Sequence, residues 1–372
     1  MTPTRAAWRG ALGLWLASRL AVLLLGLAAA REVGGAGVTE VPGPLRGWYH
    51  WDVALFIKVA RYGWFSPAYA DRTAVDLPGL PLALRLAHTV VPDWVAAGLV
   101  VSLLAGAVAV VALWQLATLD APAGEADATG RLAVLLLVVS PYAVFLFAGY
   151  SEALFLAFAT TGWLAARRER WLLAAVLVSG ATATRVTGLA LALALAVHYL
   201  VEHRGRPDRR AAFLLLPALP VAAFVVHLHA LSGSWTAYSD AQREGWGRGF
   251  ALPWEGWQAT WAGALRTNQS AAYQVFWCAE LAAAVVGVLL TVVLLRQQRL
   301  GEAAYVGGNT LLMTCTTYYA SGVRSVLVWF PLWLLLARTV VHRTWLAALL
   351  VWVSAPLTAV VTIGFTQGSW ID

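Results

Sequence analysis

The segment Ser179-Gly180-Ala181-Thr182-Ala183-Thr184-Arg185-Val186-Thr187-Gly188 interrupts an apolar stretch that runs from 171 to 201. Both ends of that stretch are basic, with Arg167-Arg168-Glu169-Arg170 before it and Arg204, Arg206, Arg209 and Arg210 after it. Arginine-rich flanks of apolar segments stay in the cytoplasm. A stretch with both ends inside must go out and return, which one straight helix cannot do. Two short half-passages meeting at the Gly- and Thr-rich break around Arg185 satisfy the parity. Irregular backbone at that depth is tolerated only where it lines a cavity or is buried in protein.

The same reading extends along the whole chain. Its 372 residues are 60% hydrophobic and 12% charged, about half the charge of an ordinary soluble domain. Runs long enough to cross a bilayer recur, at 11–30, 94–117, 131–148, 151–166, 212–231, 272–295, 302–319, 323–337 and 345–366. The first run ends in Arg31-Glu32 without a small-residue cleavage site, so it reads as a retained span. The remaining basic clusters, at Arg5/Arg9, Arg296/Arg299 and Arg338/Arg343, fall on the same side as those flanking the break. The expectation is an all-α polytopic membrane protein, one domain over 1–372, with about 11 transmembrane passes, the N-terminus inside and the C-terminus outside. Cys278 and Cys315 lie inside apolar runs and read as buried thiols.

On this map the long polar loops, 31–93 and 232–271, are extracytoplasmic. The first carries Trp48-Tyr49-His50-Trp51-Asp52, then a helical pattern over 52–63 that predicts a surface helix, and a Leu77-Pro78-Gly79-Leu80-Pro81 turn. The second is rich in tryptophan: Trp235, Trp246, Trp254, Trp257 and Trp261. Tryptophan and tyrosine favour the headgroup layer, so the aromatic cluster holds the Asp52 carboxylate at the membrane surface. Among the cytoplasmic loops no Gly-rich phosphate loop or nucleotide fingerprint occurs. A cytosolic nucleotide site and a nucleic-acid partner are therefore not expected.

The ionisable groups at the outer face are Asp52, Lys58, Asp76, Glu152, Arg185 and Arg324. Such groups at membrane depth usually have a partner or a job. Glu152 also suits the first turn of a helix beginning at Ser151. Arg185 and Arg324 have a structural alternative in pairing with Glu152 or Asp52. The surface helix has one as a plain interfacial anchor. As chemistry, two arginines can grip a lipid-borne phosphate through forked hydrogen bonds. A carboxylate such as Asp52 can take the proton of an attacking hydroxyl. Direct displacement of the phosphate at an anomeric carbon inverts it. Tyr150 and Glu152 would orient substrate or the arginines, Lys58 would assist Asp52, and Trp246 would stack on sugar or belong to an interface belt. A flippase or transporter of polyprenyl-linked lipids is the alternative; it needs polar groups strung through the bilayer, and here they crowd at one face.

Four blocks carry a family resemblance: Trp51-Asp52 with Ala60 and Gly63, Leu77-Pro78-Gly79-Leu80-Pro81-Leu82, Ala148-Gly149-Tyr150-Ser151-Glu152-Ala153-Leu154-Phe155, and Ala183-Thr184-Arg185-Val186-Thr187-Gly188-Leu189. Two weaker ones are Ser232-Gly233-Ser234 running to Trp246-Gly247, and Gly322-Val323-Arg324 before Phe330-Pro331. Together they resemble the PIG-V-like branch of the membrane GT-C glycosyltransferases, in its actinobacterial form. The resemblance implies a GT-C-like helical bundle, a polyprenyl-phosphate mannose donor used outside the cytoplasm, a lipid- or glycan-linked acceptor, and Asp52 as the catalytic base. Two positions depart from the eukaryotic pattern. Leu55 stands where a histidine is usual, and Asp76-Leu77 stand in place of aromatics. With one strong carboxylate in loop one rather than an adjacent pair, no metal cofactor is expected.

Overall fold

The computed structural model describes residues 5–32, 43–67, 74–122, 124–266, 268 and 270–369. Parts of the expected first loop, 33–42 and 68–73, and the C-terminal residues 370–372 lie outside the described residues. The chain is all-α: among the described residues the only β pairing is an isolated antiparallel bridge between Phe250 and Thr316. Helices α1 (Arg5–Glu32), α2 (Asp52–Tyr62), α3 (Gly79–His88), α4 (Trp94–Leu119), α5 (Ala126–Val138), α6 (Ser151–Ala166), α7 (Trp171–Thr184) and α8 (Gly188–Glu202) form the first half of the chain. They are followed by α9 (Leu219–Ser232), α10 (Ala237–Trp246), α11 (Pro253–Ala264), α12 (Ala271–Arg296), α13 (Leu300–Thr314), α14 (Gly322–Val328), α15 (Phe330–Val340) and α16 (Thr344–Thr366).

Among the described residues, five helical segments are long and apolar enough to cross a membrane: Trp8–Ala30, Trp94–Leu119, Arg209–Ser232, Tyr273–Arg296 and Thr344–Thr366. The pair Gly322–Val328 and Phe330–Val340 makes a sixth if counted as one broken span. The protein is therefore multi-pass. The further passes that would bring the number to about 11 fall on helices too short for a simple crossing, among them Trp171–Thr184 and Gly188–Glu202.

The internal contacts divide the chain into two units: Met1–Ala60, Leu80–Leu164 and Phe330–Ile371 form the first, and Arg61–Gly79 with Ala165–Trp329 the second. In the first unit α1 packs on α4, α5 and α16. One close approach is built by a tryptophan on a glycine, Trp15 of α1 lying where a side chain on Gly106 of α4 would stand. The expected span 131–148 is corrected here: a helix ends at Val138, and only a 3-10 turn, Ala143–Leu146, follows. Pro141 removes a donor and disfavours a helical residue before it. Several carbonyls around the break are met by side chains from other helices. Arg19, 1% exposed within α1, donates to Ala143 O at 2.6 Å and Val138 O at 3.1 Å. The Thr358 hydroxyl of α16 lies 2.7 Å from Val139 O and 2.9 Å from Ser140 O. A lone arginine within an apolar span is thus explained by a broken neighbour.

In the second unit α7 and α8 pack on one another, α8 packs on α13, and α13 on α12. The expected break at Arg185 is present. α7 ends at Thr184, Arg185 is extended (φ −146°, ψ 141°), and α8 starts at Gly188. The turn is so tight that a Cβ on Gly188 would sit 2.6 Å from the Thr182 backbone. The span read at 212–231 is present as Arg209–Ser232, opening with a 3-10 segment, Arg209–Ala218, that contains Pro217, before α9. Two further expectations are corrected. The one read at 302–319 stops at Thr314. The one read at 323–337 breaks at Trp329 because Pro331 cannot donate its share of the helix ladder. The loop read at 31–93 holds α3 as well as the surface helix, and that at 232–271 folds into α10 and α11.

Candidate active site

Each unit carries half of the candidate residues. Asp52, Lys58, Tyr150 and Glu152 belong to the first; Asp76, Arg185, Trp246 and Arg324 belong to the second.

In the first unit Trp48 is buried, edge-on to Phe147 with ring centroids 5.4 Å apart. Trp51 then takes a left-handed backbone (φ 52°), a conformation that costs a bulky residue roughly 1–3 kcal/mol and clusters at functional turns. Asp52 follows as the first residue of α2, half-buried in its first turn. A carboxylate there is favoured by the N-terminal end of the helix dipole. Lys58 lies further along the same helix, also half-buried. The other end of α2 is held by Arg85 of α3, whose Nε donates to Ala60 O at 2.5 Å and whose Nη2 lies 3.5 Å from Val59 O. A guanidinium on terminal carbonyls is a C-cap supplied from another helix.

The Tyr-Ser-Glu block packs directly on α2. Gly149 turns in the left-handed region (φ 78°) and lies against Gly98 of α4 and Val53 of α2. Tyr150 is 1% exposed and meets Phe56 of α2 edge-on at 6.2 Å, Phe145 at 4.8 Å and Phe365 at 5.8 Å. Glu152, fully buried, sits in the first turn of α6. His50, edge-on to Phe365 at 6.3 Å, has its pKa lowered by burial, with a backbone hydrogen bond at Thr366 opposing. In the first unit the turn leading into α6 thus packs, through Gly149 and Tyr150, on α2, the helix that carries Asp52 and Lys58.

In the second unit the Pro-Gly turn docks on the break of α7 and α8. A Cβ on Gly79 would stand 2.6 Å from Thr184 Oγ1 and 2.8 Å from both Ala183 O and Thr184 Cα. Asp76, 6% exposed, precedes that turn, and its carbonyl accepts from the Trp64 indole at 2.8 Å. Ala74 and Leu77 pack in one apolar cluster with Phe224 and Leu228 of α9 and Ala237 and Ala241 of α10, with Tyr238 alongside. Burial pushes the Tyr238 phenol up; a hydrogen bond from Gln242 and the charges of Arg248 and Arg185 oppose that, while Asp76 adds to it. The half-buried Tyr238 phenol thus lies within electrostatic reach of Asp76, Arg185 and Arg248.

Gly79→Ala tests this docking. The clash is with backbone, which cannot swing away, so the substitution is expected to cost about 1–3 kcal/mol. A lower melting temperature of the purified chain, with reduced activity, is the expected result. An unchanged melting temperature would show that the turn and the break are not packed together.

Arg324, 8% exposed, sits in α14 just after a left-handed Ser321 (φ 63°). The start of α14 is capped by Glu280 of α12, a fully buried carboxylate that accepts the Gly322 amide at 2.8 Å and lies 3.4 Å from that of Val323. Trp246 closes α10, and its carbonyl accepts from the Tyr318 hydroxyl. Arg248 donates to Ala320 O at 3.1 Å, the Thr317 amide donates to Gly249 O at 3.1 Å, and the Tyr319 hydroxyl donates to Pro253 O at 2.6 Å. The Trp-rich loop is therefore fastened to the segment leading into Arg324. Trp254, Trp257 and Trp261 remain exposed on α11.

Sequence reasoning missed Glu280, Tyr238 and Arg248. Glu280 did leave a signal, being the one carboxylate in the apolar run of α12. Tyr238 and Arg248 left none, because they lie in polar sequence. Among the described residues no three His, Cys, Asp or Glu side chains gather as a metal-ligand set.

Comparison with known proteins locates the match on this same framework. Residues 38–203 match the family model described as mannosyltransferase (PIG-V). That range contains Asp52, Lys58, Asp76, Tyr150, Glu152 and Arg185, and meets the resemblance read from the sequence motifs. No curated protein matches the chain. Among solved structures, the chain is similar to an Archaeoglobus fulgidus oligosaccharyltransferase crystallised with zinc and sulfate, at 11% identity and a TM-score of 0.45. The likeness covers 94% of this chain and 53% of that one, so the chain spans about half the length of that structure. The family match and the apolar helices support a membrane glycosyltransferase.

Proposed function

We propose that this chain transfers mannose from a polyprenyl-phosphate donor to a lipid- or glycan-linked acceptor, at the extracytoplasmic face and with inversion at the anomeric carbon. The observation that carries the reading is the placement of Asp52 at the start of α2, packed beside the Tyr150–Glu152 helix start, inside the stretch that matches the mannosyltransferase family. In this reading Asp52 accepts the proton of the acceptor hydroxyl as its oxygen attacks C1 of the sugar. The C1–O bond to the phosphate breaks, and the electron pair leaves with the lipid phosphate. Arg185 and Arg324 grip that phosphate and stabilise its growing charge. Lys58 adds positive charge one and a half helical turns from Asp52.

Tyr150, packed on Phe56 of α2, and Glu152, buried in the first turn of α6, act as positioning residues. Asp76 holds the turn that docks on the Arg185 break, and Trp246 offers a sugar-stacking face at the end of α10. The displacement needs no redox partner, and the residues named complete it without a metal ion.

The test is transfer of radiolabel from polyprenyl-phosphate mannose in membranes that express the chain. Label is expected in a lipid- or glycan-extractable product, in the presence of EDTA, and not from a nucleotide-linked mannose. Labelled donor crossing the membrane with no product formed would overturn the transferase reading in favour of transport.

A further inference from the structure

We infer that the cytoplasmic rim of the second unit holds a binding site for an anionic phospholipid, with the lipid phosphate between Arg170 and Arg210 and one acyl chain along α7. The observations come from a groove of about 530 Å³ lined by Glu169, Arg170, Trp171, Leu172, Leu173, Val176, Arg210 and Phe213. It runs between α7 and the 3-10 segment Arg209–Ala218, which pack against each other. This reading needs only the membrane placement of the chain and is independent of the sugar-transfer reading.

Two features of the groove select an amphiphile. Its floor is apolar and faces outward: Leu172 is 50% exposed, Leu173 45% and Val176 53%. Two arginines, Arg170 and Arg210, line it with one acidic residue, Glu169. Arg210 is weakly held by the protein. Its Nε lies 4.0 Å from Asp208 Oδ2, with the Arg210 side chain 58% exposed, a geometry worth little in solvent. Asp208 spends its other oxygen on the Tyr199 hydroxyl at 2.6 Å and on the Arg210 amide at 2.7 Å. Arg170 is also the N-cap of the 14-residue helix α7, whose N-terminal residues Trp171 to Leu173 line the groove. A free phosphate would use the arginines and leave the groove empty; a zwitterionic lipid would bring an ammonium to a site that is already cationic. A lipid with a net negative head and a long chain fits both parts. Basic pockets between membrane helices on the cytoplasmic side take such headgroups.

The experiment is native mass spectrometry of the full-length purified chain with phosphatidylglycerol, phosphatidylcholine or glycerol phosphate. The wild type is expected to retain phosphatidylglycerol at least fivefold over phosphatidylcholine. That preference should fall to near unity in Arg170→Gln/Arg210→Gln, where the charge is lost, and in Val176→Trp, which fills the groove and leaves both arginines. Unaltered thermal melting in phosphatidylcholine checks that the variants fold. Three results would each overturn the site: no preference in the wild type, a preference that survives Val176→Trp, or complete displacement of the lipid by equimolar glycerol phosphate.

Discussion

Asp52→Asn is expected to reduce mannose transfer by about 10²–10⁴-fold, the range a positioned general base contributes, while leaving the protein folded and in the membrane. Asparagine has the same shape and gives up only the charge–dipole term at the start of α2, about 0.3–1 kcal/mol. The Arg85 cap at the other end of α2 and the Phe56–Tyr150 contact do not involve the side chain at 52. What is lost is an oxygen that can accept a proton. The split between kinetic constants carries the argument: kcat should fall with the donor KM nearly unchanged, because a base acts in the transition state and not in holding the donor. Lys58→Gln is the internal control, expected to have a much smaller effect from the same helix. Equal transfer by wild type and Asp52→Asn would remove Asp52 from the chemistry and leave Asp76 and Glu152 as the carboxylates to test.

How much of this was readable beforehand depends on which signal the chain had to express in one dimension. The break at Arg185 was legible because parity and composition both demand it: basic flanks at 167–170 and 204–210, with Gly and Thr between. The start of α2 at Asp52 was legible because an aromatic cluster and a helical pattern bracket it. The course of 131–148 was not. Its apolar run looks continuous, and only Pro141 hints that Val138 ends a helix whose carbonyls are then met by Arg19 and Thr358, 119 and 219 residues away for Val138 and Val139. Such long-range rescue has no local mark. Glu280 belongs to the same class. A lone acid in an apolar helix says that a partner exists, but not that the partner is the backbone of Gly322 and Val323. The cluster beside Tyr238 was hidden for another reason: it is built by Ala74, Leu77, Ala237 and Ala241, small and ordinary residues in sequence.

Arg185→Gln is expected to lower transfer by about 10²–10³-fold, as removal of a main stabiliser of developing charge does. Here the loss should appear in both constants, since a guanidinium on the donor phosphate acts on binding and on departure alike. The extended backbone of Arg185 and the start of α8 at Gly188 rest on amide hydrogen bonds, the Arg185 amide to Ala181 O at 3.0 Å and the Gly188 amide to Arg185 O at 2.9 Å. Those bonds are indifferent to the side chain, so the turn should survive. Arg185→Lys separates charge from geometry. It keeps a cation and loses the planar fork, and transfer is expected to stay well below wild type. Full activity in Arg185→Lys would mean that charge alone suffices at this break. Full activity in Arg185→Gln would assign Arg185 to holding the turn that carries it, and would shift the phosphate to Arg324 and Arg248, the latter already reaching the Ala320 carbonyl four residues before Arg324.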